Sequence, residues 1–147
     1  MKLQFKHQKF QADAAKAVVD VFAGQPASSV SRYLIDRGLE KMDQIDVEGM
    51  AFTGWRNEPI IPALSDALIL EHIQKIQRAN QIKPSTELEG RDDGYNLTIE
   101  METGVGKTYT YIKTMYELNR AYGWSKFIVV VPSVAIREGV YKSFEMT

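Results

Sequence analysis

Cysteine is absent from this chain of 147 residues. That excludes disulfides and every cysteine-ligated metal site, and it suits a reducing, cytoplasmic setting. An excess of one charge is also lacking. Eighteen Lys and Arg stand against 19 Asp and Glu, for a net charge of −1. A chain-wide basic footprint for nucleic acid is therefore excluded, whereas a local basic patch is not. No apolar run approaches the ~20 residues that span a bilayer, so no membrane partner is expected. The start, Met1-Lys2-Leu3-Gln4-Phe5-Lys6-His7, has no apolar region of the kind a signal peptide needs. Histidine is scarce, and His7 and His72 lie too far apart in sequence to suggest a metal pair. What is present is ordinary for a soluble globular domain: 44% apolar and 25% charged residues. The length suffices to bury a real core.

Three blocks can be told apart. In residues 1–24, Phe10, Ala14, Val18, Val21 and Phe22 recur at helical spacing. They predict a helix from about Gln8 to Phe22, ended by Gly24-Gln25-Pro26. Residues 25–94 read as a mainly helical insert. Ser28 or Ser29 suits the cap of a short helix through Arg37, with Gly38 after it. Residues 43–57 read as loop or short strands. Pro62 suits the first turn of a longer helix, with Leu64, Leu68, Ile69, His72, Ile73 and Ile76 on one face up to about Gln81. In residues 95–147 the apolar patterns of Tyr95–Met101 and Lys126–Val131 predict two strands, the second buried on both faces. Helices are expected from Gly106 to Tyr122 and from Val134 to Phe144. The first carries Tyr111, Met115, Leu118 and Tyr122 on one side and stops at Gly123. Trp55 and Trp124 sit near turn glycines and read as packing anchors.

Between the first strand and its helix lies Glu100-Met101-Glu102-Thr103-Gly104-Val105-Gly106-Lys107-Thr108. A strand, a glycine turn ending in Gly-Lys-Thr and a helix form the context of a phosphate-binding loop. Glycines let backbone N–H groups converge on phosphate oxygens with no Cβ in the way. The helix start adds partial positive charge. Thr103, Gly104, Val105, Gly106, Lys107, Thr108 and Tyr109 are the expected nucleotide-binding residues. Lys107 is the catalytic candidate, reaching the β- and γ-phosphates, and the Thr108 hydroxyl is the candidate ligand for Mg²⁺. ATP and Mg²⁺ are thus the expected cofactors. The general pattern opens on Gly, and here Met101 stands in that place.

The string Met101 to Thr108 resembles the first motif of superfamily-two helicases and translocases, which often open on a residue other than Gly. Phe10-Gln11-Ala12-Asp13-Ala14 is similar to their N-terminal aromatic-Gln-x-x-Ala element. The resemblance makes Gln11 a candidate adenine contact, and a Gln amide can donate and accept at once, as the adenine N6/N7 edge requires. Read without it, Gln11 is a polar residue on an amphipathic helix. Val129-Val130-Val131-Pro132-Ser133-Val134-Ala135-Ile136-Arg137-Glu138-Gly139 resembles the next helicase motif. By that likeness Pro132, Ser133 and Arg137 contact the DNA backbone; otherwise Ser133 is a helix cap and Arg137 a solvated charge. Together these motifs look like the restriction (Res) subunit of type III restriction-modification systems. The resemblance covers about residues 8–18 and 97–141. It implies an α/β fold: a partial RecA-like P-loop domain of parallel strands with flanking helices, an N-terminal helix and a mainly helical insert. It further implies ATP-driven motion on DNA, a separate nuclease domain and a modification (methyltransferase) subunit as partner.

One part of such a machine is not found. ATP hydrolysis needs an acidic residue after another buried strand, to hold Mg²⁺ and orient water. Asp92-Asp93 precede the loop and follow no apolar run, so they read as a turn. The chain is therefore expected to be the N-terminal part of a longer protein and, by itself, at most a nucleotide binder. A repair-type helicase of the same superfamily, a small-molecule P-loop kinase and a non-enzymatic interaction domain are the rival readings.

Overall fold

The computed structural model describes residues 8–27, 57–90 and 94–146. Four helices follow one another: α1 (Lys9–Val21), α2 (Asp66–Ala79), α3 (Lys107–Tyr122) and α4 (Val134–Met146). Each helix end has a local cause. Ser65 is extended and its hydroxyl accepts from Leu68 N at 3.4 Å, which caps α2. Asp66 in the first turn and Arg78 in the last complement the helix dipole. Pro62 lies in the turn ahead of α2 rather than in its first turn. Two left-handed glycines bracket α3, Gly106 (φ 89°) and Gly123 (φ 73°). A residue with a Cβ resists that conformation, so the glycines set where α3 begins and ends. Ser133 caps α4, its hydroxyl accepting from Ile136 N at 3.3 Å.

α1 packs against both α2 and α3, and α4 packs on α3. The main core joins Val21, Phe22, Leu64, Ile69, Leu118, Tyr122 and Trp124. Trp124 sits edge-on to Phe22 at 5.1 Å between ring centroids and beside Tyr122 at 5.3 Å. Its indole N–H donates to Glu58 O at 3.0 Å, which makes it the packing anchor expected. His72 is equally structural: its Nδ1 lies 3.0 Å from Val21 O at the end of α1. The buried stripe of α1 differs from the one expected. Gln11 and Ala15 are buried and Phe10 is 47% exposed. A polar residue entered the stripe because it has a partner across it.

Side-chain amides hold the irregular segments. Gln25 Nε2 donates to Pro59 O (3.1 Å), and its Oε1 accepts from Ile61 N (3.0 Å). Asn57 Oδ1 accepts from Ser125 N and Lys126 N, both at 2.9 Å, and its Nδ2 donates to Lys126 O at 2.7 Å. Asn119 Nδ2 donates to Trp124 O at 2.9 Å.

The expected α/β fold with parallel strands is overturned. The described residues form helices and no strand, so they build no RecA-like sheet. Tyr95–Met101 and Lys126–Val131 carry no regular secondary structure. A strand exists only through the backbone bonds of a neighbour, and neither run pairs with the other. Nor is the second run buried on both faces: Ile128 is 93% and Val130 88% exposed. Its apolar pattern gives the propensity of a strand but cannot supply a partner. The short helix expected after Ser28 or Ser29, residues 43–56, Trp55, His7 and Asp92-Asp93 lie outside the described residues. Among the described residues no helix is long and apolar enough to cross a membrane.

Candidate functional site

The glycine loop sits where α1 meets the start of α3. Gly104 (φ 82°) and Gly106 (φ 89°) both turn left-handed. A Cβ on Gly104 would meet nothing within 4 Å, so the loop's outer side is open. A Cβ on Gly106 would lie 2.6 Å from Gln11 Nε2. Gln11 is 9% exposed, and its Nε2 donates to Val105 O at 2.8 Å. The structure thus brings Gln11 against the loop across 94 positions of sequence. It is the bond that reconciles a buried amide with an otherwise apolar stripe.

The other expected residues follow in order along the loop and first turn. Thr103 and Gly104 are exposed, Val105 and Gly106 half-buried. Lys107, the first residue of α3, is exposed and forms no ion pair among the described residues. Thr108 and Tyr109 are half-buried beside it. Chemically this is a helix N-terminus with free N–H groups, a solvated ammonium and a hydroxyl, an arrangement complementary to an anion.

Sequence reasoning passed over Thr110. This buried residue donates from its hydroxyl to Gly106 O at 3.2 Å, while its N–H bonds the same carbonyl at 3.0 Å. Gly106 O is held twice, so the loop's exit into α3 is fixed. The signal was available, since a Thr four residues after a helix-capping residue can back-bond its carbonyl. Behind the site, Tyr122 donates to Val19 O at 2.8 Å and ties the far end of α3 to α1. Burial, with the nearby Asp20 charge, pushes the Tyr122 phenol above its usual pKa.

Pro132, Ser133 and Arg137 form a separate group at the start of α4. Ser133 is engaged as a cap, and Arg137 is exposed with its guanidinium 3.1 Å from Glu138 Oε1. No hydrogen bond joins this group to the loop among the described residues. No cluster of three or more His, Asp or Glu able to hold a metal is found among the described residues.

Comparison with known proteins gives the loop its setting. A family described as "Type III restriction enzyme, res subunit" matches residues 60–147. The chain is 40% identical over 76 residues to the type III restriction-modification enzyme EcoP15I Res subunit of Escherichia coli. That stretch is 52% of this chain and 8% of the relative. It is 56% identical over 48 residues to the StyLTI Res subunit of Salmonella typhimurium, covering 33% of this chain and 5% of the relative. The EcoPI Res subunit of Escherichia phage P1 is 38% identical over 77 residues, 52% of this chain and 8% of the relative. The matched stretches therefore cover less than a tenth of the length of these relatives. The family match takes in α2, the glycine loop, α3 and α4, and the chain belongs to the family of type III restriction enzyme Res subunits.

Proposed function

We propose that this chain is the ATP-binding N-terminal part of the motor of a type III restriction enzyme. The observation that carries the reading is the Gln11–Val105 bond. A helix far upstream in sequence presents a buried amide at the mouth of a left-handed glycine loop. A phosphate cradle alone has no use for such a group, whereas a cradle that also selects a purine base does.

The residues fit the ligand. Free backbone N–H groups from Gly104 to Thr108 at the start of α3 donate to phosphate oxygens, and the open side of Gly104 leaves room for them. Lys107, exposed and without an ion pair among the described residues, neutralises the terminal phosphates. Thr103 and Tyr109 flank the phosphates, and Gln11 reads the adenine edge. Mg²⁺ typically takes one or two protein oxygens together with nucleotide phosphates, so the Thr108 hydroxyl suits it as protein ligand. The bound ion would neutralise charge on the phosphates. Pro132, Ser133 and Arg137 supply backbone contacts to DNA, with the Ser133 cap leaving the second lone pair of its hydroxyl free. Hydrolysis, motion on DNA, cleavage and pairing with a modification subunit belong to the whole protein, in the cytoplasm.

Thermal unfolding with Mg-ATP tests the central claim. Ligand at 100 times its Kd should stabilise by about 2.7 kcal/mol and raise Tm, and Lys107→Ala should abolish the shift. An unchanged Tm in the unsubstituted protein at millimolar Mg-ATP would refute nucleotide binding.

A further inference from the structure

Among the described residues one side-chain polar atom is buried with no hydrogen-bond partner, the hydroxyl oxygen of Tyr111. Other tyrosines are matched. Tyr122 donates to Val19 O and Tyr95 to Asp66 Oδ1 at 2.9 Å, while Tyr116 and Tyr141 face water. The Tyr111 ring is only half-buried, so the side chain is enclosed at its tip. A buried donor without an acceptor gives up its bond to water and gains nothing in return. Phe in the same place would pack the same ring without that loss, so packing does not account for the hydroxyl.

Tyr111 stands in the second turn of α3, four residues after Lys107 and three after Thr108, and so shares their side of the helix. Long side chains on a helix lean over the turn ahead of their own Cα, here the turn that the glycine loop enters. The loop carbonyls complete the account. Val105 O accepts from Gln11, and Gly106 O accepts from Thr110. Thr103 O and Gly104 O accept no hydrogen bond among the described residues. In a trans peptide the N–H and C=O point in opposite directions. Phosphate oxygens gathered on the N–H groups of Gly104 and Val105 therefore turn the Thr103 and Gly104 carbonyls away from the ligand, toward the helix. Gly104 has no Cβ and open space around it, so it can make that turn. We propose that Tyr111 is a positioning residue whose hydroxyl donates to one of these two carbonyls when phosphates draw the loop around them. This rests on the reading that the loop holds the phosphates of a nucleotide. The donor is unpaired in one arrangement of the loop and satisfied in the other, which biases the loop toward phosphate.

Tyr111→Phe separates this brace from plain packing, because stability and affinity should move in opposite directions. Inorganic tripolyphosphate and Mg-ATP are titrated by calorimetry into the protein with and without the substitution, and Tm is measured for each without ligand. Tyr111→Phe should raise Tm, since it removes an unpaired buried donor. It should weaken both probes alike, roughly 3- to 10-fold, the worth of about one hydrogen bond. A lowered Tm overturns the proposal, since the hydroxyl would then already have a partner. Equal binding by the two proteins removes the brace and leaves the nucleotide reading standing. An unsubstituted protein that binds neither probe removes that reading and the proposal with it. Should Tyr111→Phe fail to fold, NMR of the tyrosine ring carbons in the unsubstituted protein decides. Tripolyphosphate should shift the Tyr111 signals, and signals that stay in place overturn the proposal.

Discussion

One hydroxyl shows how much a single residue carries. Tyr122 packs against Trp124 and donates to Val19 O at 2.8 Å, so it holds α3 to α1 both by its ring and by its tip. Burial and then Asp20 raise its pKa in the folded state. A phenol whose folded pKa exceeds its unfolded value of about 10 binds its proton more tightly when folded. The resulting stability is complete below that value and disappears as pH rises through the higher, folded pKa. Tyr122→Phe should cost about 1 kcal/mol at neutral pH through the lost bond, and urea unfolding at pH 7 measures it. As pH is raised beyond the unfolded value of about 10, the same titration should show the two proteins converging, as the Tyr122 contribution disappears. At this scale the sequence was readable where local chemistry decides. Trp124 near a turn was expected to be a packing anchor and is. Gln11 was legible only as a residue type of two possible meanings. Its burial depends on Val105, 94 positions away, and no local pattern encodes that pairing.

Elements were legible in proportion to their punctuation. Gly106, Gly123 and Ser133 each mark a helix boundary within about two residues of where it was expected, because caps and left-handed turns are local events, whereas Ser65 starts α2 later than Pro62 suggested. Ser65→Ala should remove the cap of α2 and cost about 1 kcal/mol, whereas Ser65→Asp should retain most of it; thermal unfolding of the pair separates capping from packing. The two apolar runs are the counter-example. Tyr95–Met101 and Lys126–Val131 have the composition of strands and no strand pairing among the described residues. Helical hydrogen bonds lie within the segment that makes them, whereas strand bonds lie with a neighbour, so periodicity predicts the first far better than the second.

At the scale of the whole molecule, α1 is the piece that makes a unit of the rest. It meets α2 through the core around Ile69 and α3 through the Gln11 and Tyr122 bonds. Ile69 is fully buried, so Ile69→Ala should cost about 2–5 kcal/mol. Ile128, 93% exposed, should tolerate Ser to within about 0.5 kcal/mol despite sitting in the most apolar run of the chain. Chemical denaturation of both variants checks that burial, not hydrophobicity, sets the order. The side-chain amides have a different consequence. A sheet aligns its members by a repeating backbone pattern, which a shift of two residues restores with each side chain still on its own face. Asn57 grips Ser125 N, Lys126 N and Lys126 O by the two ends of one amide, and Asn119 holds the carbonyl of Trp124 just before them. A slipped chain would also draw Trp124 from its place against Phe22 and Tyr122. The stretch leading from α3 to α4 is thus keyed to one alignment, and the chain reaches Ser133 from a fixed starting point.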